Sequence, residues 1–135
     1  MKNQITMALE FGGGPVLWPS FLLAQYVDSI RFSDYTPSNL MAVADWLDNK
    51  PHAHIWSVFF EYVYTEHRQR DPTNLETIVE WETRLRNALS RGGLIKCDVN
   101  DAKCLVLNDE PNQYDIVFTS MCLEGACLTE TLYKE

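Results

Sequence analysis

Short apolar runs alternate along the chain with longer stretches whose apolar positions recur at three- and four-residue steps, the pattern of βα units. Gln4 to Phe11 reads as a buried strand, ended by Gly12-Gly13-Gly14-Pro15. Trp18 to Asp28 reads as a helix, with Trp18, Phe21, Leu22, Ala24 and Tyr26 crowding one side. Pro19 is tolerated there because a first turn needs no N–H from it. Ser29 to Ser33 is a second short strand, stopped by Asp34-Tyr35-Thr36-Pro37. Ser38 to Asn49 follows as a helix whose stripe is Leu40, Val43, Ala44, Trp46 and Leu47.

Ile55 to Tyr64 satisfies both periods. Its aromatic and β-branched content suits a strand, while Trp56, Phe59, Phe60 and Val63 also fit a helical face. His67 to Asn74 reads as a polar loop. Leu75 to Ser90 is the clearest helix, with Ile78, Val79, Trp81, Leu85 and Ala88 in register and Gly92-Gly93 as its cap. Leu94 to Cys97 and Tyr114 to Ser120 are the third and fourth strands, and Leu123 to Glu135 begins another helix. The order amounts to an α/β, Rossmann-like nucleotide-binding half with parallel strands and flanking helices.

A chain of 135 residues with 46 % hydrophobic and 12 % aromatic content suits one domain with a real core, here taken as residues 1–135. Eleven Lys and Arg against nineteen Asp and Glu leave a net charge of −8, which disfavours a broad nucleic-acid face. Small anionic or zwitterionic ligands stay open, since backbone N–H groups hold them whatever the net charge. No stretch has the h-region of a signal peptide or the roughly 18 apolar residues of a membrane span. Cys97, Cys104, Cys122 and Cys127 form no CxxC pair and resemble neither a disulfide framework nor a zinc site. They read as buried reduced thiols, hence a reducing, cytoplasmic setting.

Chemistry concentrates at strand ends. Glycines at 12–14 let the backbone pass close to a ligand, and the helix after them offers free N–H groups, although a glycine turn is also ordinary loop chemistry. The third glycine of G-x-G-x-x-G falls on Leu17, so a dinucleotide site matches poorly. Asp34 stands 22 residues after Gly12 at the end of the next strand, where an acid can accept both ribose hydroxyls. Its alternative role is a helix cap or turn-former beside Pro37. Asp98 follows the third strand at the same edge. His52 and His54 have no third ligand near them and read as a surface turn. His67 reads as part of a solvated charged loop, and the Trp56–Tyr64 aromatics as core. No basic residue flanks Cys122 or Cys127 to activate a thiol.

Four blocks carry a resemblance: Gly12-Gly13-Gly14-Pro15, Ser33-Asp34-Tyr35-Thr36-Pro37-Ser38-Asn39-Leu40, Lys96-Cys97-Asp98-Val99 and Thr119-Ser120-Met121-Cys122-Leu123-Glu124-Gly125-Ala126-Cys127. In this order and spacing, from about Ala8 to Cys127, the chain resembles the nicotinamide / phenylethanolamine / indolethylamine N-methyltransferase family, which uses S-adenosylmethionine. The Trp46-Leu47 and Trp56-Ser57 landmarks fit as well. The resemblance implies that the Gly12–Gly14 turn, Gly13 included, approaches the methionine part of the cofactor, with Asp34 on the ribose, Tyr35 beside the adenosine and Asn39 nearby. Asp98 then accepts from the adenine amino group, the Val99 N–H meets a ring nitrogen, and Ser120 with Thr119 lines the pocket. Trp18 and Glu10 replace the family's usual Tyr and Asp without removing a functional group.

Relative to the family the chain is expected to be short at both ends, with about four strands where a seven-stranded sheet needs on the order of 200 residues at about 30 per βα unit. No acceptor-binding residue, general base or metal ligand can be assigned. The expected activity is methyl transfer to a small-molecule amine or pyridine nitrogen; the alternative is a non-catalytic module of the same fold, with an exposed sheet edge that recruits a second copy.

Overall fold

Burial along the first strand decides the layers. β1 (Ile5–Phe11) sends Ala8 and Glu10 to one face and Leu9 and Phe11 to the other, and all four are buried. Burial on both sides explains why the segment reads as an almost unbroken apolar run. The computed structural model describes residues 5–98, 100–101 and 114–120.

β1 lies between β2 (Val27–Asp34) and β4 (Ile116–Thr119), and β3 (Leu94–Lys96) adds to the far side of β2. All pairs are parallel, in the order β3-β2-β1-β4. The α/β, Rossmann-like architecture expected from the sequence is what forms. Parallel neighbours need crossovers, and helices supply them. α1 (Trp18–Leu23) joins β1 to β2. α2 (Pro37–Leu47), α3 (Ser57–Arg70) and α4 (Ile78–Gly92) lie between β2 and β3.

The main core fills the Ala8 face. Ala8, Ile30 and Phe32 meet Phe21 of α1, Val43 and Trp46 of α2, Phe60 of α3, and Trp81, Leu85 and Leu89 of α4. Phe21 stacks on Phe60 at 4.3 Å between centroids, and Trp46 meets Phe60 edge-on at 5.8 Å. α4 presses closest to the sheet. A Cβ on Gly92 would run into the Ile30 carbonyl, so only glycine lets the helix end there. On the opposite face Leu9, Phe11 and Cys97 form a second, smaller cluster with Ile95 and Tyr114.

Several expected boundaries move. The first helix is six residues long because β2 starts at Val27, paired with Ile5 of β1, and takes the segment expected to finish the helix. Tyr26, outside the helix, is accordingly exposed, and so is Trp18 at its first position. The ambiguous run resolves as helix: Phe60, Val63, Tyr64 and His67 continue the stripe past Tyr64. His67 thus sits in α3 and not in a solvated loop, its ring edge-on to Trp81 at 4.9 Å and its Nε2 3.3 Å from the Tyr26 hydroxyl. Phe59 and Tyr62, read as core, are exposed, while Trp56 and Phe60 are buried. α4 begins at Ile78 because Thr77 and Glu80 form a capping box, each side chain bonding the other's backbone N–H.

Cys97 corrects the expectation of reduced thiols: it is disulfide-bonded. Spacing says nothing about which cysteines a fold brings together, and the other three lie outside the described residues, as does the helix expected from Leu123. No helix among the described residues is long and apolar enough to cross a membrane.

Candidate cofactor site

Register brings the four strand ends to one edge. Phe11 is level with Ser33 on β2 and Thr119 on β4, and Asp34 is level with Lys96 on β3. The residues that follow, Gly12, Tyr35, Cys97-Asp98 and Ser120, therefore emerge side by side. In open parallel sheets this carboxyl edge is where ligands sit.

The glycine turn occupies the middle. Gly12 and Gly14 adopt φ of 66° and 62°, the left-handed region that side chains with a Cβ resist. Gly13 is required for a different reason: a Cβ there would collide with the Phe32 ring. Its N–H donates to the Ser33 carbonyl at 3.0 Å, which pins the turn to the end of β2. Among the described residues nothing stands within 4 Å of where a Gly14 Cβ would lie.

Asp34 organises the edge. Its Oδ2 accepts the Gly14 N–H at 2.7 Å, and its Oδ1 accepts the Thr36 N–H at 2.8 Å and the Asn39 amide at 3.0 Å. Its backbone carbonyl accepts the Cys97 N–H at 2.9 Å. One residue thereby joins the glycine turn, the start of α2 and the end of β3. The turn-forming role open to Asp34 is the one its contacts display, at the carboxyl edge where the sequence expects it. A carboxylate offers about four lone-pair sites, and these bonds, two on Oδ1 and one on Oδ2, occupy three of them.

The other candidates surround it. Asn39 points its amide at Asp34 from the first turn of α2. Tyr35 is 60 % exposed, with the Lys96 ammonium 5.6 Å from its ring centroid, a cation–π contact that sequence reasoning missed. Asp98 lies one residue beyond the Cys97 tie, and its Oδ1 accepts the Asn100 N–H at 2.9 Å. Ser120 is exposed just past β4. Gly12, Gly13, Gly14, Asp34, Tyr35, Asn39, Asp98 and Ser120 are thus brought to one edge, while Val99 lies outside the described residues. His52 is elsewhere, 2.9 Å from Asp45, and His54 rests against Trp56.

Sequence reasoning also passed over Ser20. Its hydroxyl donates to the Glu10 carboxyl, which is buried two residues before the glycine turn. Burial pushes Glu10 up to about 8. The available signal was strand alternation, which puts Glu10 on the same buried face as Ala8.

A family model, the NNMT/PNMT/TEMT family, matches residues 2–135. Human nicotinamide N-methyltransferase is 28 % identical over 123 residues, covering 90 % of this chain and 43 % of that protein. The pig nicotinamide N-methyltransferase is 29 % identical over 128 residues, covering 95 % and 46 %. Mouse indolethylamine N-methyltransferase is 28 % identical over 126 residues, covering 93 % and 45 %. The chain spans less than half the length of these curated relatives. A match running from residue 2 to residue 135 places it plainly: the chain belongs to the NNMT/PNMT/TEMT family.

Proposed function

We propose that this edge binds S-adenosylmethionine and that the protein transfers its methyl group to the nitrogen of a small amine or pyridine. The observation that carries the reading is the Asp34 carboxylate at the carboxyl edge of the sheet, which holds the glycine turn by Oδ2 and uses three of its roughly four lone-pair sites on its own chain. The family and the names of its relatives, nicotinamide and indolethylamine N-methyltransferases, supply the reaction class.

The residues present fit the group. A ribose hydroxyl would donate to Asp34 Oδ2, and the second hydroxyl would compete with Asn39 for Oδ1. Tyr35, set by Lys96, would wall the adenosine, and Asp98 and Val99 would meet the adenine edge. The Gly14 side of the turn would admit the methionine portion, with Ser120 lining the far end. The cofactor supplies an electrophilic methyl on a sulfonium. In-line displacement by a neutral nitrogen needs mainly alignment and a water-poor pocket, and the chain's part is to align the cofactor.

A second reading rests on the same carboxylate. Three of its sites are already taken by its own chain, which suits a purely structural Asp34 in a methyltransferase-like module without turnover. The test is transfer of labelled methyl from S-adenosylmethionine to nicotinamide or tryptamine, beside calorimetric binding of S-adenosylhomocysteine. Binding with turnover supports the enzyme. Binding without turnover supports the module, and no binding by a folded chain at millimolar ligand removes the cofactor.

A further inference from the structure

Glu10 stands two residues before Gly12, on the face of the sheet that holds α1, and is 2 % exposed. There the Ser20 hydroxyl donates to Glu10 Oε2 in a short contact. The Glu10 backbone carbonyl accepts the Ser33 hydroxyl at 2.9 Å. The Ser20 contact joins the residue entering the glycine turn to the first turn of the helix leaving it. Every residue of the turn lies inside the loop that this contact closes.

We propose that Glu10 and Ser20 form a clasp that sets the shape of the glycine turn, with Glu10 a positioning residue for the ligand the turn holds.

The chemistry of the pair makes the clasp sensitive to protons. Among the described residues, the surrounding elements bring no charge to the carboxyl. Its register partners are Phe32 on β2 and Phe118 on β4, α1 brings Ser20, and Asp34 has its carboxylate on Gly14, Thr36 and Asn39. Burial alone therefore raises Glu10 to about 8. At neutral pH the carboxyl keeps its proton and can both donate to and accept from Ser20. Once the proton leaves, a buried anion faces a single hydroxyl, an arrangement far costlier than a neutral pair. Opening the turn to hydrate the carboxylate relieves that cost, and the ligand-holding shape goes with it.

The ligand arm of the test rests on the function proposed above; the stability arm does not. S-adenosylhomocysteine is titrated calorimetrically into wild type, Glu10→Gln and Ser20→Ala at pH 7 and pH 9. Glutamine keeps a neutral partner for Ser20 and cannot titrate, and the ligand's own amine titrates alike with every variant. Wild type should lose about tenfold more affinity than Glu10→Gln between the two pH values, the consequence of one proton removed near pH 8. Ser20→Ala should bind several-fold more weakly than wild type at pH 7. Equal pH dependence in wild type and Glu10→Gln overturns the clasp. So does unchanged binding by Ser20→Ala, which carries the test if the glutamine variant does not fold. Without ligand, the melting temperature of wild type should fall relative to Glu10→Gln as pH rises from 5 to 8 and then run parallel. A constant gap overturns the clasp. An opening gap without S-adenosylhomocysteine binding removes the cofactor reading and leaves the clasp standing.

Discussion

The Asp34 carboxylate holds Gly14, Thr36 and Asn39 at once, so its loss should be felt in binding and in stability. Asp34→Ala is expected to cost about 1.5–3 kcal/mol of S-adenosylhomocysteine binding, the scale of hydrogen bonds to a charged group, or on the order of 10- to 100-fold in calorimetric affinity. The glycines separate two physical demands. Gly13→Ala forces a Cβ into the Phe32 ring and should destabilise by about 1–3 kcal/mol in urea unfolding. Gly14→Ala meets no neighbour among the described residues and should cost about 1–2 kcal/mol, from its positive φ. Equal effects would mean that the Phe32 contact does not shape the turn. The position of Asp34 was legible, because distance along a βα unit fixes which residue ends the second strand. Its partners were not, since Gly14 is 20 residues away and only the register of β1 against β2 brings it there.

At the scale of elements, α4 has the strongest local logic and the tightest tertiary constraint. Thr77→Ala removes half of the capping box and should cost about 1 kcal/mol by chemical denaturation. Gly92→Ala should cost more than the roughly 1–3 kcal/mol of ordinary overpacking, because its Cβ meets backbone that cannot swing away. A Gly92→Ala protein as stable as wild type would mean that α4 ends farther from β2. Helix and strand types were readable wherever the period ran long, as in α4 and α2. They failed where tertiary pairing overrode local pattern. β2 captured residues from 27 onward because parallel pairing with β1 offers each of them a backbone partner. α3 was ambiguous because its apolar stripe is completed by the ring of His67, a residue that polarity assigns to a loop.

For the whole molecule, pH is the most informative variable. Glu10 sits near 8 in the folded protein, against 4.5 when solvated. Between those values the folded state holds a proton that the unfolded chain has released, so stability is fullest below about 4.5 and declines as pH rises towards 8. The slope contributed by this one group is at most about 1.4 kcal/mol per pH unit, and it vanishes in Glu10→Gln. Urea unfolding across pH 5–9 measures it. The parallel strands and the edge that gathers the site followed from the alternation of runs, whereas the strand order and the Cys97 disulfide did not, because nothing in spacing reports which strands pair or how far apart loops lie.

The central claim is that four strand ends build one adenosine site, and amide chemical shifts during a titration with S-adenosylhomocysteine test it residue by residue. The signals of Gly12, Gly14, Asp34, Asn39, Asp98 and Ser120 should move together along curves sharing one dissociation constant, with Asp34→Ala shifting that constant upward for all of them. Signals that stay fixed at millimolar ligand, or perturbations confined to the far ends of the strands, would contradict it.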